Sequence, residues 1–508
     1  MSTGGVFTLI NNDGIQDKLL MATDILMENL KIISRNKIQI LQKQYPSLTP
    51  SQLIAKDASW MPSLTAIEQS HLVFINSSFK PFVTIAHEYF KTAPRGGKAS
   101  LGTSATFALP INGDFVNDTV LYVKLTGLSA KNALDKVRYV EYLGHRLMKR
   151  TSFKVSKFEF DSYDSSVYNV QYQFKVPSDK TVGWLRNIGQ EIPHQGYLTA
   201  DPTVDEWREY RYFGDGPQTF KQQHAVVEMW IPLLFWFKDV QNSLPNFLLP
   251  VQQTEIEVLF EDQANLIAWA DYGGGGLYNV PTITDCFLYM NNVFLLPEVT
   301  KIFISRFGFS LIRVHRQQTE QLTSSTGNVL LHKLKWPMEC LFVAFRPRVN
   351  LDNSQTWYKN TRLTQRSIKE AVVTGVSTIE VNDAIYYDEQ QVVSQLGLRA
   401  NDIVIYPSTP PEFYNNYIPY RYGPACKTPP ELGWFMLNFN FYPGQQQPSG
   451  HLNISRAREL YLDYQSAIDP DTNQYIIRPA NPVDLLIVAD CINFLLCQNG
   501  TATVRFAT

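Results

Sequence analysis

Histidine and acidic side chains are the groups in this chain best suited to catalysis or metal binding, and their spacing supports neither. The eight histidines are scattered, and no two of them stand four residues apart as in an HExxH zinc helix. His87 precedes Glu88, but no second histidine follows at position 91. The sequence also lacks a GxSxG nucleophile elbow and a Walker-type phosphate loop. We therefore predict no catalytic residue, no metal site and no cofactor.

Acidic pairs and aromatic clusters leave a lectin or a hydrolase acting on sugars open as the alternative. A glycosidase needs two carboxylates, as in Glu261–Asp262 or in Asp201 with Asp205, although 47 acidic residues make such pairs common by chance. Trp357–Tyr358 and the segment Tyr414–Tyr422 could stack on a sugar. They could equally pack against a neighbouring subunit, because Tyr and Trp are enriched at protein interfaces.

The polar segment from Gln445 to Glu459 combines turn-forming residues with several charges. Its Gly, Pro, Ser and Asn content predicts a constrained turn, and its charged residues precede the strand-like run Leu460–Leu462. We interpret it as a structural turn and ion-pair cluster in preference to a ligand site. The side chains of this turn cluster are His451, Asn453, Arg456, Arg458 and Glu459.

The composition limits the classes of partner. The chain has 508 residues, with 45 basic and 47 acidic side chains and a net charge of -2, so we expect no direct nucleic-acid binding. Only 18% of residues are charged while 13% are aromatic, which predicts apolar surface covered by a large core or by permanent partners. Five scattered cysteines, the absence of a secretory pattern in residues 1–10 and the absence of a ~20-residue apolar run favour a reducing compartment.

Residues 15–44 form the one segment with a clear helical periodicity. Asn12–Gly14 marks its start, and Pro46 and Pro50 end it. Such a helix can pack on its own domain, or dock on a membrane surface or on a partner. Its apolar positions recur at spacings of three, four and seven: Ile15, Leu19, Ile25, Leu26, Leu30, Ile33, Ile40 and Leu41.

From His71 onward the chain consists of short β-rich runs separated by Gly, Pro, Asn and Asp. Alternation predicts strands at Phe153–Phe160 and Val167–Val176, and a second β unit follows Gly273–Gly276, with a strand at Lys301–His315. Weak periodicity predicts long loops at 127–137, 190–219 and 350–403. Two antiparallel sandwiches with few helices are typical of paired jelly rolls.

Several long motifs, spread over most of the chain, resemble one family. They are Ser2–Ile10, Asn12–Gly14, His71–Pro81, Gly113–Phe115, Ser310–His315, Leu334–Glu339, Pro448–Glu459 and Ile492–Gly500. The family is that of the double jelly-roll major capsid proteins of nucleocytoplasmic large DNA viruses, and within it the asfarvirus type, as in African swine fever virus. The resemblance weakens in the three segments predicted to be long loops, which look shorter and divergent here.

The resemblance implies an all-β fold of two consecutive eight-stranded antiparallel jelly rolls with an N-terminal helical segment. The expected division is a base segment at 1–65, a first jelly roll at 66–282, and a second at 283–508 with a long loop insertion at about 350–403. The expected function is that of a structural protein, not an enzyme: a homotrimeric, pseudo-hexagonal capsomer in the outer shell of an icosahedral virion. A minor capsid or scaffold protein of the same lineage is a further alternative, which the full two-sandwich length disfavours.

The resemblance also implies the partners and the location of the chain. The partners are the chain itself, neighbouring capsomers, minor capsid and penton proteins, and the inner viral membrane or its proteins. The chain would occur in the virion and at assembly sites in the host cytoplasm. The N-terminal helix would face the membrane side, and its candidate docking residues are Ile15, Leu19, Leu26, Leu30 and Ile33.

Overall fold

The structure is a computed structural model that describes residues 38–49, 52, 85–198, 209–213, 215–249, 252–270, 278–306, 308–334, 336–374, 378–422, 426–453, 459–498 and 500–506. The chain divides into two compact units. The first comprises Met1–Glu88 and Val293–Ile302, and residues 38–44 within it are helical. The second comprises Tyr89–Asn292 and Phe303–Thr508 and contains nearly all of the β structure.

The first half of the chain forms two main sheets. We call the first sheet 1A, with strand order β1-β13-β3 and with β9 and β10 both pairing with β3; sheet 1B has the order β2-β11-β5-β6. Two small two-stranded sheets, β4 with β12 and β7 with β8, lie outside these main sheets. The strands are β1 (Ile85–Thr92), β2 (Ser104–Leu109), β3 (Phe115–Leu125), β4 (Lys136–Tyr139), β5 (Met148–Val155), β6 (Phe158–Asp164), β7 (His194–Leu198), β8 (Glu209–Phe213), β9 (Val227–Pro232), β10 (Leu244–Pro245), β11 (Thr254–Phe260), β12 (Ile267–Ala270) and β13 (Ile283–Leu295).

The second half repeats this arrangement. Sheet 2A has the order β14-β24-β16-β21, with β22 pairing with β16 and β25 with β24, and sheet 2B has the order β15-β23-β19-β20. The strands are β14 (Phe309–Leu322), β15 (Thr326–Leu330), β16 (Pro337–Pro347), β17 (Arg362–Thr374), β18 (Thr378–Gln390), β19 (Val393–Ala400), β20 (Ile403–Thr409), β21 (Trp434–Asn438), β22 (Leu452–Asn453), β23 (Leu460–Ser466), β24 (Val483–Gln498) and β25 (Thr501–Val504).

The two halves correspond strand by strand, and the correspondence extends to local register. In both, the eight main strands occur in the same sheet order. The hairpin β5–β6 pairs Phe153 with Asp161 and has an irregularity immediately before Lys154, and β19–β20 pairs Leu398 with Tyr406 and has one at the same place. The predicted all-β double jelly roll is confirmed.

Each sandwich is held together by the alternating strand pattern. Along β3 and β11 every second residue is buried, as at Leu121, Val123, Ile256 and Val258, and these side chains meet in one hydrophobic core. A strand with this pattern buries one face against the opposite sheet and leaves the other face to solvent or to a partner.

Helices are short and lie between strands. Besides the helical residues 38–44, the named α-helices of the described residues are α1 (Leu143–Leu147), α2 (Ser165–Val170), α3 (Thr181–Asn187), α4 (Pro297–Arg306), α5 (Arg348–Asp352) and α6 (Ile418–Arg421). Two π-helices occur at Gln171–Lys175 and Phe413–Tyr417. Short 3-10 helices occupy Ser178–Lys180, Trp236–Lys238, Val240–Asn242, Asn246–Leu248 and Gln263–Leu266.

Three predictions of local structure were wrong. The alternating segment Val167–Val176 is helical, because the Asp164 carboxylate caps α2 by accepting the Ser166 amide hydrogen at 2.9 Å, and the helix continues into the π-helix. The predicted strand Lys301–His315 begins inside α4. Residues 350–403 are not an irregular loop, because they contain the long hairpin β17–β18 and strand β19 of sheet 2B.

The pairing of strand β13 bears on where the boundary between the jelly rolls lies, which was expected at residue 282. Strand β13 pairs within sheet 1A, and the Thr284 hydroxyl donates to the Lys124 carbonyl at 3.1 Å. Strand β13, which the expected division assigns to the second jelly roll, therefore completes a sheet of the first one. We propose that the first jelly roll ends at Leu295.

Candidate functional site

The candidate docking residues of the N-terminal helix lie outside the described residues, so their role stays a prediction. The structure describes the end of the predicted helix, where residues 38–44 are helical. None of the helices in the described part of the chain is both long and apolar enough to cross a lipid bilayer. The docking residues concerned are Ile15, Leu19, Leu26, Leu30 and Ile33.

Two residues at the centre of the turn cluster, His451 and Asn453, are described by the structure. His451 is exposed. Asn453 belongs to the short strand β22, where it pairs with Pro337 at the start of β16. This part of the segment therefore attaches a turn to sheet 2A.

Of the arginine and glutamate side chains in the turn cluster, the structure describes Glu459. Its carboxylate accepts a hydrogen bond from the Tyr461 hydroxyl at 3.0 Å, and this bond raises the pKa of the tyrosine. Arg456 and Arg458 lie outside the described residues, so the predicted ion pairs stay a prediction.

The groups considered for sugar chemistry are engaged in other contacts. Lys149 Nζ bridges the carboxylates of Glu261 and Asp262 at 3.2 and 3.3 Å. Trp357 is buried, and its indole Nε1 donates to the Glu141 carbonyl at 3.0 Å. Asp201 and Asp205 fall outside the described residues.

The segment Tyr414–Tyr422 is a helical turn in which Tyr414 is buried. The Tyr414 hydroxyl donates to the carbonyls of Leu396 and Pro407 at 2.9 and 3.1 Å, whereas Tyr417 and Tyr420 are exposed. Within the described residues, no three His, Cys, Asp or Glu side chains lie close enough together to hold a metal ion. The five cysteines are free and buried.

An extensive polar site lies at the junction between the two jelly rolls, which the sequence analysis did not predict. Lys175, the last residue of the first π-helix, places Nζ 2.6 and 2.9 Å from the two carboxylate oxygens of Asp490 on β24. Burial alone would raise the pKa of Asp490, but the charge of Lys175 outweighs it and holds that pKa below its ordinary value. Beside this pair, the rings of Phe174 and Phe342 lie 4.9 Å apart.

A second contact joins β6 to β14 at the same junction. The buried Asp161 carboxylate accepts the His315 amide hydrogen at 2.9 Å, and its other oxygen lies 3.1 Å from the imidazole Nδ1. The side-chain amide Nε2 of Gln317 donates to the Asp164 carboxylate at 2.8 Å. The last strand of sheet 1B is thus hydrogen-bonded to the first strand of sheet 2A.

A cavity of about 850 Å³ opens along this junction, lined by charged side chains from both jelly rolls. At its edge Arg313 donates to Glu339 at 2.5 and 3.1 Å and to the Gln445 carbonyl at 2.6 Å. The side chain of Gln446 donates to the Gln241 carbonyl of the first jelly roll at 3.3 Å. The polar segment from Gln445 to Glu459 therefore begins in the junction. The residues that contact the junction are Gln445 and Gln446, which are not members of the predicted turn cluster.

The junction could be found in the sequence only indirectly. Lys175 and Asp490 are 315 residues apart, so no local motif links them. One sequence feature does mark the covered sheet: β16 is apolar at nearly every position and is buried on both faces. A strand of this kind needs neighbours on both sides of its sheet.

The corresponding outward face of sheet 1A is open and aromatic. The Tyr122 ring lies 4.7 Å from Trp230 and 6.4 Å from Phe287, and Trp230 lies 5.1 Å from Tyr289. Lys91 Nζ rests 3.5 Å above the Phe287 ring. We call these residues the aromatic face; Trp230 is 41% exposed. Such a patch is typical of a protein interface.

Comparisons with known proteins agree with this architecture. A family model described as large eukaryotic DNA virus major capsid protein matches residues 301–503, and one described as major capsid protein N-terminus matches residues 74–296. The chain is 26% identical to hexon protein p72 of African swine fever virus, with 100% of both chains covered.

Solved structures show the same similarity. The Faustovirus major capsid protein is 27% identical, with a TM-score of 0.74 over 96% of this chain and 100% of that one. PBCV-1 VP54 has a TM-score of 0.63 at 16% identity over 85% of this chain and 98% of that one, which shows a shared fold.

Proposed function

Because this chain belongs to the major capsid protein family of large eukaryotic DNA viruses, we propose that it forms homotrimeric, pseudo-hexagonal capsomers that tile the outer shell over an inner membrane. The chain is a structural component of the virion, and its relatives are capsid proteins and not enzymes. The trimer, the membrane beneath it and the contacts with minor capsid and penton proteins are the proposed parts of this function.

The repeated sheet order of the two jelly rolls carries the proposal. Three chains with two similar sandwiches each present six similar bodies around an axis. A closed ring of six has a hexagonal outline, which tiles a flat face. Head-to-tail contacts between identical chains close into a ring when the rotation between neighbours fits.

The mass and outline of the purified protein test the capsomer. We expect light scattering to give three times 58.1 kDa, and negative-stain images of the same peak to show hexagonal top views. A compact monomer at micromolar concentration would contradict the proposal. A glycan array run on that monomer would then test the lectin alternative.

The N-terminal segment is proposed to attach the capsomer to the membrane side of the shell. The apolar helical periodicity of residues 15–44 supports this role. Deletion of residues 1–45 should leave the mass of the trimer unchanged and abolish attachment to the shell. A matched control replaces only the polar positions Gln16 and Lys18 by alanine and should keep attachment. Loss of the trimer on deletion would contradict the assignment.

A further inference from the structure

The junction inside the chain has two covering elements from the first jelly roll. They are strand β6 at the edge of sheet 1B and the helical segment that follows it, Ser165–Lys175. Together they cover the outward face of sheet 2A through the Asp161–His315 and Lys175–Asp490 contacts. As a result both faces of β16 are buried.

The second jelly roll has the same two elements, and they are exposed. Strand β20 corresponds to β6 and is followed by the π-helix Phe413–Tyr417 and helix α6. Ile403 and Val404 on β20 are 70% and 61% exposed, and Tyr420 on α6 is 79% exposed. No described segment of the chain covers these side chains.

The surface that corresponds to the covered sheet is exposed as well. The aromatic face lies on sheet 1A, the counterpart of sheet 2A, and strand β9 at the edge of this sheet alternates between buried and exposed residues. Beside it Tyr89 of β1 is 58% exposed. Among the residues that the structure describes, nothing therefore covers a donor surface and an acceptor surface of the type already joined at the molecule's own junction.

We propose that β20 and Phe413–Arg421 of one copy dock on the aromatic face of sheet 1A in the next copy, repeating between chains the junction found within each chain. The occupant of the aromatic face is thus a second copy of this chain. The inference rests on the proposed trimer and names its contact surfaces. Because donor and acceptor are different surfaces, the contact is head-to-tail, and it gives the proposed trimer when the rotation between neighbouring copies closes a ring.

The residues on the two surfaces are complementary. The donor offers Tyr417 and Tyr420 to an acceptor of Tyr, Trp and Phe side chains, and aromatic pairs of this kind strengthen interface cores. Arg421 is exposed on the donor, and Asp285 lies on the outward side of β13 in the acceptor sheet. Neither of these two charges forms an ion pair with any residue that the structure describes.

Charged substitutions on each surface test the contact. We expect Trp230→Asp and Tyr420→Asp each to reduce the mass in light scattering from three chains to one, because each would bury an unpaired carboxylate in the interface. Val349→Asp is the matched control: Val349 is 70% exposed and lies on neither surface, so this variant should stay trimeric. Circular dichroism of the monomers should show an unchanged β spectrum.

Cysteine pairing tests the contact without disrupting it. All five native cysteines are buried, so background cross-linking is low. The double variant Trp230→Cys with Tyr420→Cys should give covalent dimers and trimers on a non-reducing gel under mild oxidation, whereas either single variant with Val349→Cys should give none. Cross-linking of the control pairs to the same extent would overturn the inference.

The outcomes separate this inference from the proposed function. A trimeric wild type whose mass is unchanged by both aspartate variants would overturn the docking surfaces and leave the capsomer intact. A monomeric wild type would overturn the capsomer itself. If the trimer is lost only in the two surface aspartate variants and the paired cysteines cross-link, the result would support both the capsomer and the docking surfaces.

Discussion

Sheets 1A and 2A have the same strand order but bury their residues differently. Along β3 of sheet 1A buried and partly exposed residues alternate, whereas in β16 of sheet 2A every residue except Arg346 is buried. The difference arises from the neighbours, because the first jelly roll covers the outward face of sheet 2A. The sequences follow this environment: Phe115–Leu125 mixes polar with apolar residues, and Pro337–Pro347 is nearly all apolar.

The largest expected effect comes from opening the covered face. Phe342 is fully buried between the jelly rolls and contacts Phe174. Phe342→Ala should lower the free energy of unfolding by about 4 kcal/mol, since it leaves a cavity at a site that cannot collapse easily. Tyr122→Ala at the open face of β3 is the matched control and should cost about 1 kcal/mol. Urea unfolding followed by tryptophan fluorescence measures both, and equal losses would contradict the comparison.

The partly buried ion pair between Lys175 and Asp490 gives the next effect. Asp490→Ala leaves the Lys175 ammonium in the junction without its carboxylate, so we expect a loss of about 3 kcal/mol in unfolding free energy. Replacing both residues, by Lys175→Met with Asp490→Leu, should recover most of that loss because no unpaired charge remains. A double variant as unstable as the single one would show that the pair is needed for more than charge balance.

The carboxyl group of Glu431, which lies beside the junction, makes the stability of the fold depend on pH. Burial raises the pKa of Glu431 to about 7, although Lys359 at 3.8 Å opposes the shift. A carboxyl with a raised pKa stabilises the fold below its unfolded pKa, and this contribution is lost as pH rises toward 7. The stability of Glu431→Gln relative to the wild type should therefore increase by about 2 kcal/mol between pH 4.5 and pH 8. A difference that does not change with pH would contradict the assignment.

The fold followed from the sequence to a large degree, whereas the junction did not. Alternating strands and the long motifs such as Ser310–His315 led to the double jelly roll. The segment Val167–Val176 was misread because its apolar residues alternate like a strand, while the Asp164 cap and packing on a distant sheet make it helical. Sequence periodicity reports which residues are buried, but the partner that buries them lies far along the chain, as Asp490 does for Lys175.

The smallest expected effect comes from comparing two tyrosines of the segment Phe413–Arg421, which is part of the proposed donor surface. Tyr414 is buried and its single hydroxyl hydrogen is shared between two carbonyls of the same jelly roll, so Tyr414→Phe should cost about 1 kcal/mol of unfolding free energy. Tyr420, six residues later, is 79% exposed, and Tyr420→Ser should change the unfolding of the isolated chain by less than about 0.5 kcal/mol. If Tyr420→Ser destabilised the isolated chain as much as Tyr414→Phe, Tyr420 would pack against its own chain and would not be free to contact a second copy. The aromatic face would then need a different partner.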